Sequence, residues 1–254
     1  MAVTRRGYIF AAFLSGVLCV LLIIVAISSD SWIVSTARAN VQVSDSAVRY
    51  GLFRGELTLR NLATANYNPL HMTCVPEVGA CAVSCRTERE ARVQEVIYLS
   101  ERLKPSPICA AEVNVDDPND LMERPAVIPL AIYASLLAVL ILHLLCAIIA
   151  AGLAILNATK NPTEPAFGLP GCLWTNVVAA VLGLTALLLF GIYYSTSGLK
   201  EHLALSYIAV GQFVADPGLG YSYWLLILAV VCSLFNIFLI ELRRYLLERD
   251  PPPP

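Results

Sequence analysis

Residues 126–156 read AVIPLAIYASLLAVLILHLLCAIIAAGLAIL and contain no Asp, Glu, Lys or Arg. A helix crosses the apolar core of a bilayer in about 20 residues at about 1.5 Å rise each. This stretch is longer than one crossing requires, so it is expected to tilt or to project beyond one membrane face. A helix that is apolar all round is not the one-sided helix of a soluble surface. Three further uncharged stretches lie on either side of it, at residues 8–27, 173–194 and 222–240. The 254-residue composition agrees: 57% of residues are hydrophobic, only 14% are charged, and the mean hydropathy is +0.69. Soluble domains hold roughly 45–50% apolar and about 25% charged residues. A net charge of −2 disfavours a nucleic-acid binder with a dominant basic face, and the hydropathy excludes disorder over most of the chain.

Orientation is read from short-segment Lys and Arg. Arg5 and Arg6 precede the first stretch, Lys160 sits between the second and third, and Arg243, Arg244 and Arg249 follow the fourth. Only Lys200 lies between the third and fourth. Residues 28–125 hold ten Lys/Arg, but loops longer than about 60 residues weigh little in this bias. Both termini are therefore expected in the cytoplasm. Tyr8, Trp32, Trp174, Tyr193, Tyr194, Tyr221, Tyr223 and Trp224 gather at the ends of the stretches, as interface anchors do. The rival for residues 8–27 is a cleaved signal peptide, whose apolar run is usually shorter, at about 7–15 residues. The expected fold is an all-α transmembrane four-helix bundle with a small extracellular β-sheet and a short helix in the first loop. It forms a single tetraspan domain with extracellular loops at 28–125 and 195–221, a cytoplasmic loop at 157–172 and a cytoplasmic tail at 241–254.

Within the first loop, residues 32–43 and 48–59 are rich in β-branched and aromatic side chains and predict two antiparallel strands joined near 44–46. Thr87-Glu88-Arg89-Glu90 has capping-box spacing. Val93, Val96, Ile97, Ser100 and Leu103 then fall on one helical face, ended by Pro105 and Pro107. Cys74, Cys81, Cys85 and Cys109 make an even set in that loop, so two disulfides are expected, with all three pairings open. A four-thiol zinc site is the alternative, but no C-x-x-C pair is present.

Each stretch also carries small or weakly polar residues at helical spacing. They are Ala12, Ser15, Gly16 and Cys19; His143, Ala147, Ala150 and Ala154; Asn176, Ala179, Gly183 and Ala186; and Ala229, Cys232, Ser233 and Asn236. Such stripes let membrane helices approach closely, which predicts a compact bundle. His143 and Asn236 are expected to face protein and to make interhelical hydrogen bonds, the alternative for His143 being a proton or ion path. Cys172, at the cytoplasmic membrane edge, is a candidate for palmitoylation.

Catalytic signatures are missing. No carboxylate lies in a stretch, no His/Cys/Asp/Glu set has metal-ligand spacing, and no phosphate loop or nucleophile elbow occurs. No enzyme activity and no cofactor are expected. Asn157-Ala158-Thr159 is a formal sequon on the side read as cytoplasmic. His71 and His202 read as solvated loop histidines. Glu112, Asp116, Asp117, Asp120 and Glu123 read as a solvated acidic linker, with weak calcium binding as the lesser option.

A large first loop, a small second loop and internal termini exclude the tetraspanin layout and resemble the claudin-like four-span superfamily. Trp32, Gly51-Leu52-Phe53 and the pair Cys74/Cys81 are similar to its first-loop signature. The chain more closely resembles the clarin family. The similar stretches are Tyr50-Gly51-Leu52-Phe53-Arg54-Gly55-Glu56, Gly152-Leu153-Ala154-Ile155-Leu156-Asn157, Asn161-Pro162, and Gly168-Leu169-Pro170-Gly171-Cys172-Leu173-Trp174-Thr175-Asn176. Gly220-Tyr221-Ser222-Tyr223-Trp224-Leu225-Leu226-Ile227-Leu228 and Asn236 continue the resemblance through the fourth stretch. Residues 61–119 are expanded relative to that pattern, the first loop holds no sequon, and the chain ends in Pro254.

The clarin resemblance implies a non-enzymatic, multi-pass plasma-membrane protein of sensory hair cells and photoreceptors. It would be linked to hearing, to stereocilia and their actin, and to synapse organisation. Its partners would be the lipid bilayer and membrane proteins held through the first loop at Trp32 and Tyr50–Glu56, with homo-oligomers left open and no nucleic acid. The alternatives are a claudin-like junction protein or auxiliary channel subunit and, behind both, a small transporter or pore.

Overall fold

The computed structural model describes residues 2–39, 46–61, 64–105, 109, 115, 119, 121–122, 124–160, 164–196 and 213–249. Residues 44–45 of the expected turn, the acidic set from Glu112 to Glu123, Asn161-Pro162, Lys200, His202 and Pro254 lie outside the described residues. In chain order the elements are α1 (Ala2–Ser28), β1 (Ile33–Ala39), β2 (Ser46–Tyr50), β3 (Arg54–Asn61), β4 (Thr64–Val75), β5 (Ala80–Ser84), α2 (Arg89–Ser100), β6 (Ile128–Pro129), α3 (Leu130–Thr159), α4 (Leu169–Thr196), β7 (Phe213–Leu219) and α5 (Tyr221–Arg249).

Four helices are long and apolar enough to cross a membrane, at Gly7–Ser28, Leu130–Thr159, Leu169–Thr196 and Tyr221–Leu246. These are the features of a multi-pass membrane protein. Four of their ends lie four or more residues from the sequence expectation, the first being that of α1, which begins at Ala2 rather than at 8. The second helix begins at Leu130 rather than at 126, because Ile128 and Pro129 are taken up as a short strand. The third begins at Leu169, four residues early, with Pro170 in its first turn, where a missing N–H costs no helical hydrogen bond. The fourth continues to Arg249, so much of the expected tail is helical.

The chain divides into two compact units. The first comprises Met1–Ala26, Leu137–Leu188 and Trp224–Pro254. Its interior is built from the small-residue stripes: Ala12, Gly16 and Cys19 are buried, as are Ala147, Ala150 and Ala154, Asn176, Ala179 and Ala186, and Ala229, Ser233 and Asn236. Ser15 and Cys232, on the same stripes, are half-buried. Large apolar side chains such as Leu14, Leu18, Ile141, Leu188 and Phe238 point outward. That arrangement is the reverse of a soluble bundle and suits packing by close backbone approach.

The second unit comprises Ile27–Leu136 and Leu189–Tyr223. It holds a seven-stranded sheet, wholly antiparallel, in the order β6-β5-β4-β3-β2-β1-β7. Here the expectation of two strands is corrected. The expected second strand, 48–59, folds back on itself at 51–53, so Tyr50 faces Gly55 across a β2–β3 hairpin. Strands β4 and β5 come from the expanded part of the first loop. Strand β7 comes from the second loop and pairs with β1 along Ile33–Ala39.

One face of the sheet is apolar: Ile33, Val48, Tyr50, Leu57, Leu70, Cys81 and Val83 share it by register and are buried. The other face carries Arg49, Arg54, Glu56, Tyr67 and His71, all exposed. That alternation is expected of an antiparallel sheet with one solvated side. Helix α2 packs against β4 and β5, with its Glu95 reaching Ser84 at the end of β5.

Helix α2 departs from expectation at its start and in its buried face. Glu88, not Thr87, is the N-cap, and no side chain caps it. The buried residues are Ala91, Glu95, Val96 and Leu99, whereas Val93, Ile97, Ser100 and Leu103 are half-buried. The helix is rotated because Glu95 turns inward to Arg86 and Ser84. Both charged side chains are fully buried, with Arg86 Nε 3.6 Å from Glu95 Oε2. The Ser84 hydroxyl donates to Glu95 Oε2 and accepts from the Arg86 backbone N–H at 3.1 Å.

Candidate functional site

The stretch Tyr50–Glu56 folds as the β2–β3 hairpin and its turn. Trp32 N–H donates to the Tyr50 carbonyl at 3.0 Å, and Gly51 N–H to the Arg54 carbonyl at 2.8 Å. Met72 N–H donates to the Phe53 carbonyl at 3.0 Å, and the Tyr133 hydroxyl to the Leu52 carbonyl at 2.8 Å. Gly51 is required by crowding: a Cβ there would sit 2.1 Å from the backbone oxygen of Ser29, closer than any side chain tolerates. The expectation that Gly51 and Gly55 lie within one strand is thus replaced by a tight corner at 51–53, with Gly55 near the start of β3.

The motif divides into two halves. Tyr50, Gly51 and Leu52 are buried. With Trp32, Met72, Ile132, Tyr133, Phe190 and Tyr193 they line a narrow apolar cavity. Trp32 and Phe190 meet edge to face, ring centroids 4.8 Å apart and planes at 70°, and Phe190 also lies 6.0 Å from Tyr223. Such ring pairs add about 0.5–1.5 kcal/mol beyond the area they bury. The Tyr193 hydroxyl donates to the Val127 carbonyl. Burial holds the Tyr50 phenol well above its ordinary pKa, and the neighbouring phenols of Tyr194 and Tyr193 add to the effect.

The second half is presented outward. Phe53 is 51% exposed, Arg54 and Glu56 are exposed, and Gly55 is half-buried. Arg54 Nε bonds Asp30 Oδ1 at 3.0 Å. Register sets Arg49 opposite Glu56 and Arg54 opposite His71, and Tyr67 stands on the same face at 63% exposure. Two disulfides brace the other end of the sheet. Cys74–Cys81 joins facing positions of β4 and β5, and Cys85–Cys109 ties the segment after α2 to the end of β5. The zinc alternative is thereby set aside. Among the described residues no cluster of three or more His, Cys, Asp or Glu could hold a metal.

The remaining candidates belong to the first unit. Asn236 Nδ2 donates to Asn176 Oδ1 at 3.3 Å, an interhelical bond between α5 and α4. Neither ring nitrogen of His143 has a partner among the described residues, although the side chain is fully buried. The interhelical hydrogen bond expected of it is therefore not made. Gly183 faces the ring so closely that an added Cβ would lie 2.8 Å from His143 Cε1 and 2.5 Å from Val230 Cγ2.

Cys172, expected as a palmitoylation candidate, is only 2% exposed, with its Sγ 3.7 Å from the Ala150 carbonyl. In this packing it is an interior residue, and acylating it would require the helices to part. Asn157 gives both amide hydrogens to backbone carbonyls, of Leu153 and Phe167, each at 2.8 Å. It closes the α3–α4 connection and is not presented for glycosylation.

The sequence reading missed the Arg86–Glu95 pair and the cavity residues Met72 and Tyr133. Glu95 sits four residues from both Ala91 and Leu99, so a polar residue on an apolar stripe was the available signal. Comparison of the chain with protein-family models finds no match, and comparison with curated proteins finds none.

Proposed function

We propose that the chain is a clarin-like, non-enzymatic tetraspan organiser of the plasma membrane, acting in sensory cells of the hair-cell or photoreceptor kind. In this reading both termini are cytoplasmic and the sheet is extracellular. Its outward face, centred on Phe53, Arg54, Glu56 and Tyr67, docks the ectodomains of partner membrane proteins. The observation that carries the reading is the division of the Tyr50–Glu56 motif. One half is buried, while the other presents an aromatic and two charges at the surface of a sheet whose far end carries two disulfides. Interface energetics favour such a display, because rigid aromatic and Arg side chains dominate hot spots. Membership of the clarin family rests on the sequence resemblance alone.

The test is cross-linked affinity capture of the full-length chain from sensory tissue, comparing wild type with Phe53→Ser and Arg54→Glu. Both variants are expected to reach the cell surface and to lose the same set of captured membrane proteins. An unchanged set would remove the outward face as the docking site. A reproducible conductance in planar bilayers that His143→Leu abolishes would replace the organiser reading with a transport path.

A further inference from the structure

Strand register fixes the layout of the sheet's outward face. One row across β1 to β4 reads Val34, Arg49, Glu56, Pro69, and the next reads Thr36, Ala47, Thr58, Tyr67. Residues paired in this way share a face and stand at one height along the strands. Val34, Thr36, Ala47 and Thr58 are half-buried, while Arg49, Glu56, Tyr67 and Pro69 are exposed. Apart from the two charges and Tyr67 these side chains are short, so the surface has low relief. Arg49 and Glu56 oppose each other on β2 and β3, yet neither has an ion-pair partner among the described residues.

This layout is complementary to itself. Consider an axis lying over the face, parallel to the strands and midway between β2 and β3. A two-fold rotation about it lays β2 of a second copy over β3 of the first, and β1 over β4. Arg49 of each copy then meets Glu56 of the other, because both stand at the same height. By the same operation Val34 meets Pro69, Ala47 meets Thr58, and the Thr36 methyl meets the Tyr67 ring. A closed two-fold contact requires this reciprocity. The strands of the two copies stay aligned, as they do in packed sheets, which lie about 10 Å apart with strand directions within about 30°.

The other route for a second copy, strand addition at an edge, is obstructed. Both edge strands carry a proline, Pro129 in β6 and Pro217 in β7. Proline offers no N–H to an added strand, and a proline on an edge strand is a recognised guard against such pairing. We propose that the outward face of the sheet is a homotypic interface, on which a second copy of this chain docks through two reciprocal Arg49–Glu56 pairs. The inference rests on the reading of this face as a docking surface and names one of its partners.

The test mixes two differently tagged full-length copies in mild detergent, captures one tag and quantifies the other. Wild-type copies should be captured together. Arg49→Glu mixed with itself, and Glu56→Arg mixed with itself, should each lose about tenfold or more, because like charges then face each other across the contact. Mixing Arg49→Glu copies with Glu56→Arg copies should restore capture, since each acidic pair then meets a basic pair. Restoration also shows that both variants are folded. Three results would overturn the proposal: no co-capture of wild type, self-mixed single variants that associate like wild type, or a cross-mixture that stays apart. If one of these occurs while Phe53→Ser and Arg54→Glu still lose captured membrane proteins, the face binds a different protein and only the homotypic inference falls. If the cross-mixture associates while those two variants keep the full captured set, the homotypic contact stands and the wider docking role falls.

Discussion

Replacing His143 by leucine should stabilise the first unit. The imidazole is fully buried and both its nitrogens lack partners among the described residues. An unsatisfied buried polar group costs roughly 1–3 kcal/mol in a water-referenced fold. In a bilayer the reference is milder, because the unfolded helix also finds partners for its polar groups, and measured interhelical hydrogen bonds average about 0.6 kcal/mol. Leucine is close to imidazole in size, so the packing against Gly183 and Val230 survives and no large cavity term enters. The net expectation is a gain of about 1 kcal/mol, the polar penalty relieved less a small repacking cost. Reversible unfolding of the reconstituted protein in lipid bicelles, followed by steric trapping, measures it directly. His143→Phe is the control: it also removes the nitrogens but presses extra volume on Gly183, and should be destabilised by about 1–3 kcal/mol. A loss of 1 kcal/mol or more in His143→Leu would refute the reasoning, since the ring would then be shown to hold a favourable polar contact in the bilayer.

Gly51→Val should abolish surface delivery, because its Cβ would meet a backbone oxygen at 2.1 Å; surface biotinylation of full-length protein reads the loss. Breaking the buried ion pair with Glu95→Gln should destabilise the second unit by about 3–5 kcal/mol by stranding the Arg86 charge, and the double variant Arg86→Met/Glu95→Leu should recover much of it, as protease resistance would show. The four loop cysteines should resist alkylation until reduced and give peptides linked 74–81 and 85–109. By loop-closure entropy the shorter link contributes about 2.5 kcal/mol and the longer about 3.5 kcal/mol, so Cys85→Ser/Cys109→Ser should be the more damaging pair.

The membrane helices were legible because an uncharged run of bilayer length is a one-dimensional signal that needs no knowledge of neighbours. The stripe residues were legible for a related reason, since helical spacing alone places Ala12, Gly16 and Cys19 on one side. The sheet was only partly legible because its pairings are remote. β6 is Ile128–Pro129, which reads as the start of an apolar helix until β5 is known to lie beside it. β4 carries Asn66, Asn68, Pro69 and His71 and has no clean alternation. Gly51-Leu52-Phe53 lacks the Asn-Gly or Asp-Gly of a short hairpin turn. What makes it a corner is the approach of Ser29, 22 residues before Gly51 and invisible to any local window. The register of α2 was misjudged because a buried partner, Arg86, can draw Glu95 onto a face that hydropathy alone assigns to aliphatic residues.

The pairing of β7 with β1 has a consequence for biogenesis. Some 170 residues separate Ala39 from Phe213, and the β1 edge along Ile33–Ala39 receives its outer partner only when the latter has been made. At about 5–20 residues per second of synthesis, that edge waits roughly 10–35 s with backbone donors and acceptors unmatched. An open strand edge is a template for wrong partners. A ribosome stalled or a message truncated before Phe213 would therefore release a chain with its sheet half-hemmed, prone to pair with its own copies, and dependent on chaperones holding β1 until the final helix arrives.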